Sequence, residues 1–311
     1  MPYLGIDLGG TYARAAVVDA DGRVEAATKI ALVDRAPGAV VEAIARATAD
    51  AISAGGRVER CGVGVAGMLE GDTGVVANAP NLGWRDVPFG TLLAERLGRP
   101  VRVVNDLSAA AWGEFRVGAG RGASEVLVVF VGSGVGSAII TGGRLVRGAS
   151  NSAGEFGHVK VVSEGGRRCG CGQHGCLEAY AGGHSLIAQM GEVLAQGIPS
   201  MLHELSGGDP ARLTPVLLEQ AAQQGDPAAK EIYDRATGHL ALAIANLVTV
   251  LNPQFLILGG GVLSRCPGII QRIRQGVAGH ATVVSQHALT ITEGALGDDS
   301  GIIGAALLSA E

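Results

Sequence analysis

Short apolar stretches separated by glycine turns open the chain and predict an antiparallel meander. Tyr3–Leu8 is the first stretch, a Gly9-Gly10-Thr11 turn follows it, and residues 13–18 form a second stretch before an Asp21-Gly22 turn. Short apolar runs bounded by glycine or aspartate are typical of strands joined by tight turns. Apolar residues at near-helical spacing over residues 40–52 predict that a helix follows the meander.

The same pattern returns later in the chain. Residues 126–131 are apolar, a glycine-rich turn follows at residues 132–136, and residues 137–141 form the next apolar stretch. Two meanders, each with a glycine-rich first turn, predict two halves of related architecture that face each other. Helical periodicity over residues 228–251 and an apolar stretch at residues 255–258 then predict a long helix and a buried strand.

The length and composition of the chain extend this picture to two α/β domains. The 311 residues are enough for two separate cores, and 47% hydrophobic with only 4% aromatic residues means cores built from Ala, Val, Leu and Ile. We expect a cleft between a small α/β domain of residues 1–115 plus 298–311 and a large α/β domain of residues 116–297. The hinges should lie near residues 115 and 298.

The charge pattern narrows the class of partner. The formal net charge is -5 and no basic tract is present, which argues against a nucleic acid as partner. No apolar run approaches the roughly 18 residues of a membrane span, and the chain enters a strand pattern almost at once, without a signal-peptide pattern. We therefore expect a cytoplasmic protein with no membrane partner.

Three of the five cysteines lie at the spacing of metal ligands. Cys169, Cys171 and Cys176 fall within eight residues, flanked by glycines that permit a tight loop. A closed structural zinc site requires four nitrogen or sulfur ligands, so a fourth is needed. The nearby candidates for it are His158, His174 and His184. Cys61 and Cys266 are isolated thiols.

Three glycine-rich turns are candidates for nucleotide binding. In Asp7-Leu8-Gly9-Gly10-Thr11 the glycines would let backbone N–H groups approach phosphate oxygens, with an acidic residue near a metal ion; a hairpin turn with an exposed Asp is the alternative. The loop at residues 132–136 lacks the Walker pattern but would face the first turn if the halves are related. Gly259-Gly260-Gly261 follows a buried strand, where an adenosine pocket and a plain strand-to-helix turn are both consistent with the sequence.

Asn105-Asp106 lies between an apolar stretch at residues 101–104 and an Ala-rich helical segment. At this junction a carboxylate would project into the space between domains and could act as a general base. The alternative is structural, because Asp is a favoured N-cap residue at the start of a helix.

Taken together, these motifs resemble the ROK family of sugar kinases and repressors, in the hexokinase and actin-like ATPase superfamily. The resemblance covers essentially the whole chain and implies a two-domain actin-like ATPase fold (hexokinase/ribonuclease H-like) with an interdomain cleft. The motifs that carry it are DLGGT at residues 7–11, VND at residues 104–106, GEFGH at residues 154–158, CGCGQHGCLE at residues 169–178 and LNPQFLILGG at residues 251–260.

The resemblance also implies roles for individual residues. Asp106 would be the catalytic base, and His158 the fourth zinc ligand beside Cys169, Cys171 and Cys176. The sugar would be held by Gly67, Asn81, Asn105, Asp106, Glu155, His158 and Glu178. ATP would be held by Asp7, Gly9, Gly10, Thr11, Ser133, Gly134, Gly259 and Gly260, with Asp7 near Mg²⁺.

Two positions depart from the family pattern. Ser133 stands where Thr is common, which preserves the hydroxyl, and Phe156 stands where Ile or Leu is usual, which changes the packing beneath Glu155 and His158.

The function expected from the resemblance is ATP-dependent phosphorylation of a hexose, with glucose converted to glucose 6-phosphate. N-acetylmannosamine, fructose, mannose and allose are the alternative sugars. A sugar-responsive transcriptional repressor is the alternative of another class, but the DLGGT motif begins so early that an N-terminal DNA-binding domain would not fit ahead of it. The cofactors expected are structural Zn²⁺ and Mg²⁺ with ATP, and the expected assembly is a homodimer.

Overall fold

The computed structural model describes residues 2–311, which divide into two compact units. Unit 1 comprises Met1–Ser124, Ala138–Gly154 and Gly294–Glu311, and unit 2 comprises Glu125–Ser137 and Glu155–Glu293. The domain division expected at residues 115 and 298 stays a prediction.

The strands lie within residues 3–145 and 255–293. In chain order they are β1 Tyr3–Leu8, β2 Tyr12–Val18, β3 Val24–Ala31, β4 Cys61–Val65, β5 Met68–Leu69, β6 Val76–Ala79, β7 Trp84–Val87, β8 Val101–Asn105, β9 Val126–Val131, β10 Val135–Thr141, β11 Arg144–Leu145, β12 Phe255–Gly259 and β13 Thr290–Glu293.

The helices are concentrated in unit 2. In chain order they are α1 Pro37–Gly55, α2 Phe89–Leu97, α3 Asp106–Arg116, α4 Glu178–Ala181, α5 Gly183–Ala195, α6 Leu202–Ser206, α7 Pro215–Gln223, α8 Pro227–Leu251, α9 Pro267–His280, α10 Val283–Ala288 and α11 Ser300–Leu308. Single turns of 3-10 helix lie at Phe156–His158, Pro210–Arg212 and Gly297–Asp299.

The sheet of unit 1 brings three strand ends to one edge. Its order is β3-β2-β1-β4-β8, with β1, β4 and β8 parallel. Leu8 pairs with Val65 across β1 and β4, and Val65 pairs with Asn105 across β4 and β8. The turn after β1, the segment after β4 and the start of α3 therefore leave the sheet at the same edge, where α/β proteins commonly bind ligands.

A second five-stranded sheet repeats this arrangement. Its order is β11-β10-β9-β12-β13, and β9, β12 and β13 are parallel. Gly259 at the end of β12 pairs with Phe130 near the end of β9, so the glycine loops that follow these two strands lie at one edge. The two sheets share a meander followed by two parallel strands, which confirms the related halves predicted from the sequence.

The long helix predicted over residues 228–251 is α8, and its ends have identifiable causes. Asp226 is the N-cap and accepts a hydrogen bond from the backbone N–H of Ala229 at 2.7 Å, with Pro227 at the first helical position. At the other end Asn252 adopts the left-handed conformation with φ of 46°, which ends the helix.

Some elements lack a strong sequence pattern. The small antiparallel sheet of β5, β6 and β7 has strands of two to four residues, too short for alternation to be visible. Helix α11 is apolar on all sides and packs against α3, β1 and β4.

Within residues 2–311 none of the helices has both the length and the apolarity needed to span a membrane.

Candidate active site

The first glycine turn forms one wall of an open cavity in unit 1. The N–H of Gly9 donates to the carbonyl oxygen of Tyr12 at 3.0 Å and closes the turn after β1. The cavity has a volume of about 800 Å³, and its walls include Asp7, Gly9, Gly10 and Thr11. Such a turn can present backbone N–H groups to phosphate oxygens, because glycine has no side chain to keep a ligand away.

Asp7 lies close to a basic residue that the sequence analysis did not single out. Burial raises the pKa of Asp7, and the charge of Arg14 offsets part of that rise. Arg14 is the register partner of Asp7 in the β1–β2 pair, donates to the carbonyl oxygen of Asp298 at 2.7 Å and forms an ion pair with Asp299. Lys29 also lines the cavity. The predicted hairpin contained the signal for Arg14, because antiparallel pairing places it opposite Asp7.

Asp106 is the first residue of α3 and is half-buried. The N-cap of this helix is Asn105, whose Oδ1 accepts a hydrogen bond from the N–H of Ser108 at 3.1 Å. The capping role that was the alternative for Asp106 therefore belongs to its neighbour. Asn105 also donates from Nδ2 to the carbonyl oxygen of Gly67 at 3.2 Å, which ties together two residues predicted to hold the sugar.

Asn81 is exposed in the turn between β6 and β7. A Cβ built on Gly10 would lie 3.0 Å from the Cβ of Asn81, so this asparagine packs directly against the first glycine turn. Unit 1 thus gathers the DLGGT turn and Asn81 in one place, and joins Gly67 to Asn105 by a hydrogen bond.

In unit 2 the three clustered cysteines and His158 form a compact group of metal-ligand atoms. One ligand atom from each of His158, Cys169, Cys171 and Cys176 lies within 4.8 Å of the others. Neither His174 nor His184 belongs to this group, so the structure selects His158 among the three candidates.

Two distances in this group fit tetrahedral zinc. Zn–S bonds of about 2.3 Å and Zn–N bonds of about 2.0–2.1 Å at tetrahedral angles separate two sulfurs by about 3.8 Å, and sulfur from nitrogen by about 3.6 Å. The Cys171 and Cys176 sulfurs are 3.7 Å apart, and Cys169 Sγ is 3.7 Å from His158 Nδ1. Lys160 donates to Cys176 Sγ at 3.1 Å. Sequence reasoning missed this lysine.

The side chains predicted to hold the sugar in unit 2 either belong to this cluster or lie next to one of its members. With Nδ1 of His158 in the cluster, Nε2 lies 3.7 Å from a carboxylate oxygen of Glu155. Glu178 Oε1 is 3.9 Å from Cys169 Sγ. Phe156 lies between Glu155 and His158 in the sequence, and its side chain is buried. It therefore anchors the turn that carries both of these side chains.

The other two glycine loops meet at the edge of the second sheet. The N–H of Gly132 donates to the carbonyl oxygen of Gly134 at 2.9 Å, and Val262 N–H donates to Val131 O at 2.9 Å. Gly260 has φ of 93° and a Cβ there would lie 2.6 Å from the Val131 carbonyl oxygen, so the backbone requires glycine. Ser133 is exposed on the first of these loops. Unit 2 therefore brings together the loops that carry Ser133, Gly134, Gly259 and Gly260.

The family model described as "ROK family" matches residues 3–311. The chain belongs to the ROK family. The family resemblance seen in the sequence is thereby confirmed for nearly the full length of this ROK protein.

Individual relatives match this ROK protein from end to end. A glucokinase of Streptomyces coelicolor is 34% identical over 316 residues, which cover 99% of this chain and 97% of that one. The crystal structure of a ROK family glucokinase from Streptomyces griseus in complex with glucose and AMPPNP has a TM-score of 0.83 and 36% identity, and covers 100% of this chain and 99% of that one.

A ROK hexokinase from Thermus thermophilus superimposes with a TM-score of 0.85 at 32% identity, covering 100% of this chain and 98% of that one. These structures confirm the predicted α/β fold of the actin-like ATPase type.

Proposed function

We propose that this ROK protein transfers the γ-phosphoryl group of MgATP to a hydroxyl of glucose and forms glucose 6-phosphate. The observation that carries the proposal is the full-length similarity, in sequence and in structure, to a glucokinase described in complex with glucose and AMPPNP. The Streptomyces coelicolor glucokinase supports the same activity over 99% of this chain.

Asp106 is the general base of this reaction. Phosphoryl transfer passes through a loose transition state, so the protein contributes chiefly by positioning the groups and neutralising charge. A carboxylate at the first turn of α3 is held by a helix that Asn105 caps, and it can accept the proton of the attacking sugar hydroxyl. Gly67, Asn81 and Asn105 are the other residues of unit 1 that bind the sugar.

In unit 2, Glu155, His158 and Glu178 are the side chains that bind sugar hydroxyls. Ionised carboxylates are acceptors only, so each can take hydrogen bonds from hydroxyl groups. Since Nδ1 of His158 lies among the cysteine sulfurs, its Nε2 is the nitrogen that faces the sugar.

Zinc is the metal that fits the cluster of His158, Cys169, Cys171 and Cys176. Four nitrogen and sulfur ligand atoms that lie within 4.8 Å of one another are the donor set of a closed structural zinc site. When bound there, zinc supplies a fixed anchor rather than a reacting group. The chain's own contribution is that the anchored imidazole of His158 keeps one orientation toward the substrate.

The three glycine loops are the segments that bind the nucleotide. Backbone N–H groups of the first turn and of the loop after β9 would bind phosphate oxygens, and the loop after β12 would bind the adenosine. Asp7 would lie near Mg²⁺ or its water molecules when MgATP is bound, and Arg14 and Lys29 add positive charge to the same cavity. The proposed nucleotide-binding residues are Asp7, Gly9, Gly10, Thr11, Ser133, Gly134, Gly259 and Gly260.

A panel of sugars assayed with the purified protein and MgATP tests the proposal. We expect glucose to give the highest kcat/KM, above N-acetylmannosamine, fructose, mannose and allose. A clearly larger kcat/KM for one of these sugars would replace glucose and leave the kinase proposal intact. Absence of phosphoryl transfer to every sugar would overturn the kinase proposal itself.

A homodimer is the assembly we propose. Val250, Val283 and Val284 are 78%, 66% and 76% exposed, and they lie near one another because Thr282 N–H donates to Thr249 Oγ1 at 3.2 Å. Apolar side chains grouped in this way are covered in an isologous interface between two copies of a chain. Light scattering should give the mass of a dimer for the protein and of a monomer for Val283→Asp; a monomeric mass for the unchanged protein would reject the assembly.

The cytoplasm is the compartment we propose. All five cysteines are free thiols, and metal ligation by Cys169, Cys171 and Cys176 requires that they stay reduced. Fractionation of cells that produce the protein would reject this location by recovering it outside the cytoplasm.

A further inference from the structure

The carboxylate of Glu178 contacts two structures at the same time. Its Oε2 accepts a hydrogen bond from the backbone N–H of Val135 at 3.0 Å, and its Oε1 lies 3.9 Å from Cys169 Sγ. Val135 directly follows the glycine loop after β9, whereas Cys169 belongs to the metal-ligand cluster. One side chain therefore connects the cluster to that loop.

The loop is built around this contact. A Cβ on Gly134 would lie 2.3 Å from Glu178 Oε2, so any side chain there would displace the carboxylate. The backbone just beyond Glu178 holds the same loop: Gly183 N–H donates to Gly132 O at 2.9 Å, and His184 N–H donates to Ser133 O at 3.0 Å. The segment that follows the cysteine cluster thus supports the loop at two successive residues.

We propose that Glu178 is a positioning residue for the nucleotide, in addition to its role toward the sugar. By holding the N–H of Val135, it fixes the loop at Ser133 and Gly134 in the conformation that binds phosphate. The inference rests on the proposed function, in which this loop binds ATP. A carboxylate has two oxygens and about four acceptor sites, so it can hold Val135 and a sugar hydroxyl together.

The physical basis is a charge-assisted hydrogen bond to a backbone donor. Such bonds are stronger than neutral ones, and a half-buried N–H left without its acceptor no longer holds the loop in place. A glutamine at this position keeps a carbonyl oxygen that can accept from Val135. A methionine has nearly the same length and shape but provides no comparable acceptor. These two substitutions therefore separate positioning of the loop from loss of the charge.

The experiment measures the Kd of AMPPNP without sugar, by calorimetry, for the unchanged protein, Glu178→Gln and Glu178→Met. We expect Glu178→Gln to stay within about 3-fold of the unchanged protein, and Glu178→Met to bind about 10-fold more weakly, the loss expected for one charge-assisted hydrogen bond. Glucose affinity should fall in both variants. The matched control is Glu155→Met, which removes the other carboxylate near the cluster and should weaken glucose binding without changing the Kd of AMPPNP.

Circular dichroism and zinc content establish that each variant is folded, and Glu178→Ala provides the same comparison if the methionine variant does not fold. Equal AMPPNP affinity in Glu178→Met and Glu178→Gln would overturn the inference while the kinase proposal stands. Equal weakening in Glu155→Met would also overturn it, because the effect would then come from loss of charge near the cluster. Failure of the unchanged protein to bind AMPPNP would instead reject the proposed function.

Discussion

The side chain of Asn105 donates a hydrogen bond from Nδ2 to the carbonyl oxygen of Gly67 at 3.2 Å. Its other end, Oδ1, accepts from Ser108 N–H and caps helix α3. One amide thereby joins the segment after β4 to the helix that begins with Asp106. This arrangement holds the proposed catalytic base from two sides.

Replacing Asn105 should loosen that support. Asn105→Ala loses the cap and the bond to Gly67, so we expect the free energy of unfolding to fall by about 1–2 kcal/mol. Asn105→Asp keeps an oxygen for Ser108 but sets a carboxylate oxygen against the Gly67 carbonyl. Urea unfolding and kcat should therefore show Asn105→Asp to be impaired as well; a near-normal Asp variant would mean that only the cap matters.

Asp106→Asn should abolish most of the turnover. The amide keeps the shape of the side chain but cannot accept the proton of the sugar hydroxyl, so we expect kcat to fall by roughly 10²-fold to 10⁴-fold. Sugar affinity should change far less, because an amide still forms hydrogen bonds with hydroxyls. Asp50→Asn, at an exposed position on α1, is the matched control and should keep full activity. A folded Asp106→Asn protein with most of its kcat would require another base.

Metal analysis should find about one zinc per chain, lost on substitution of a ligand. We expect Cys171→Ala and His158→Ala to lose zinc and to melt at lower temperature. Cys61→Ala is the control, since Cys61 is buried away from the cluster and its loss should leave the zinc in place. Unchanged zinc content in Cys171→Ala, or loss of zinc in His184→Ala but not in His158→Ala, would contradict the ligand set.

Asp226 should make stability depend on pH in the acid range. Burial raises the pKa of Asp226, but hydrogen bonds from Ala229 N–H, Met201 N–H and the Ser200 hydroxyl outweigh it and hold the pKa below its ordinary value. Between the folded and the unfolded pKa of Asp226, the folded state therefore binds fewer protons than the unfolded state. The stabilisation is complete above the unfolded value of about 3.9 and is lost as pH falls through the folded value.

The variant that tests this is Asp226→Asn, which retains a capping oxygen without the charge. We expect it to be less stable than the unchanged protein by about 1 kcal/mol at pH 7, with the difference shrinking below about pH 4. Urea unfolding at both pH values measures it, and Asp50→Asn should show no difference at either. If the difference in free energy of unfolding between the two proteins stays constant with pH, the charge of Asp226 does not contribute to stability.

Local sequence was sufficient to predict the elements that have a clear hydrophobic periodicity or a distinctive residue composition. The DLGGT turn, the long helix at residues 227–251 and the cysteine loop all follow from neighbours in sequence, because turns, helices and closely spaced thiols depend on short-range geometry. The family and the α/β class followed from the order of such motifs along the chain.

Tertiary structure decided what distant residues do together. The cap at Asn105 rather than Asp106 and the hydrogen bond from Val135 to Glu178 depend on contacts that local pattern does not encode. The same holds for the meeting of His158 with the cysteines, which the sequence implied only through the family resemblance. Parallel strands bring their carboxyl ends to one edge whatever the length of chain between them, so the meeting of separate loops is set by sheet register. That register is determined by packing of the whole core, and for this reason it was visible only in the folded structure.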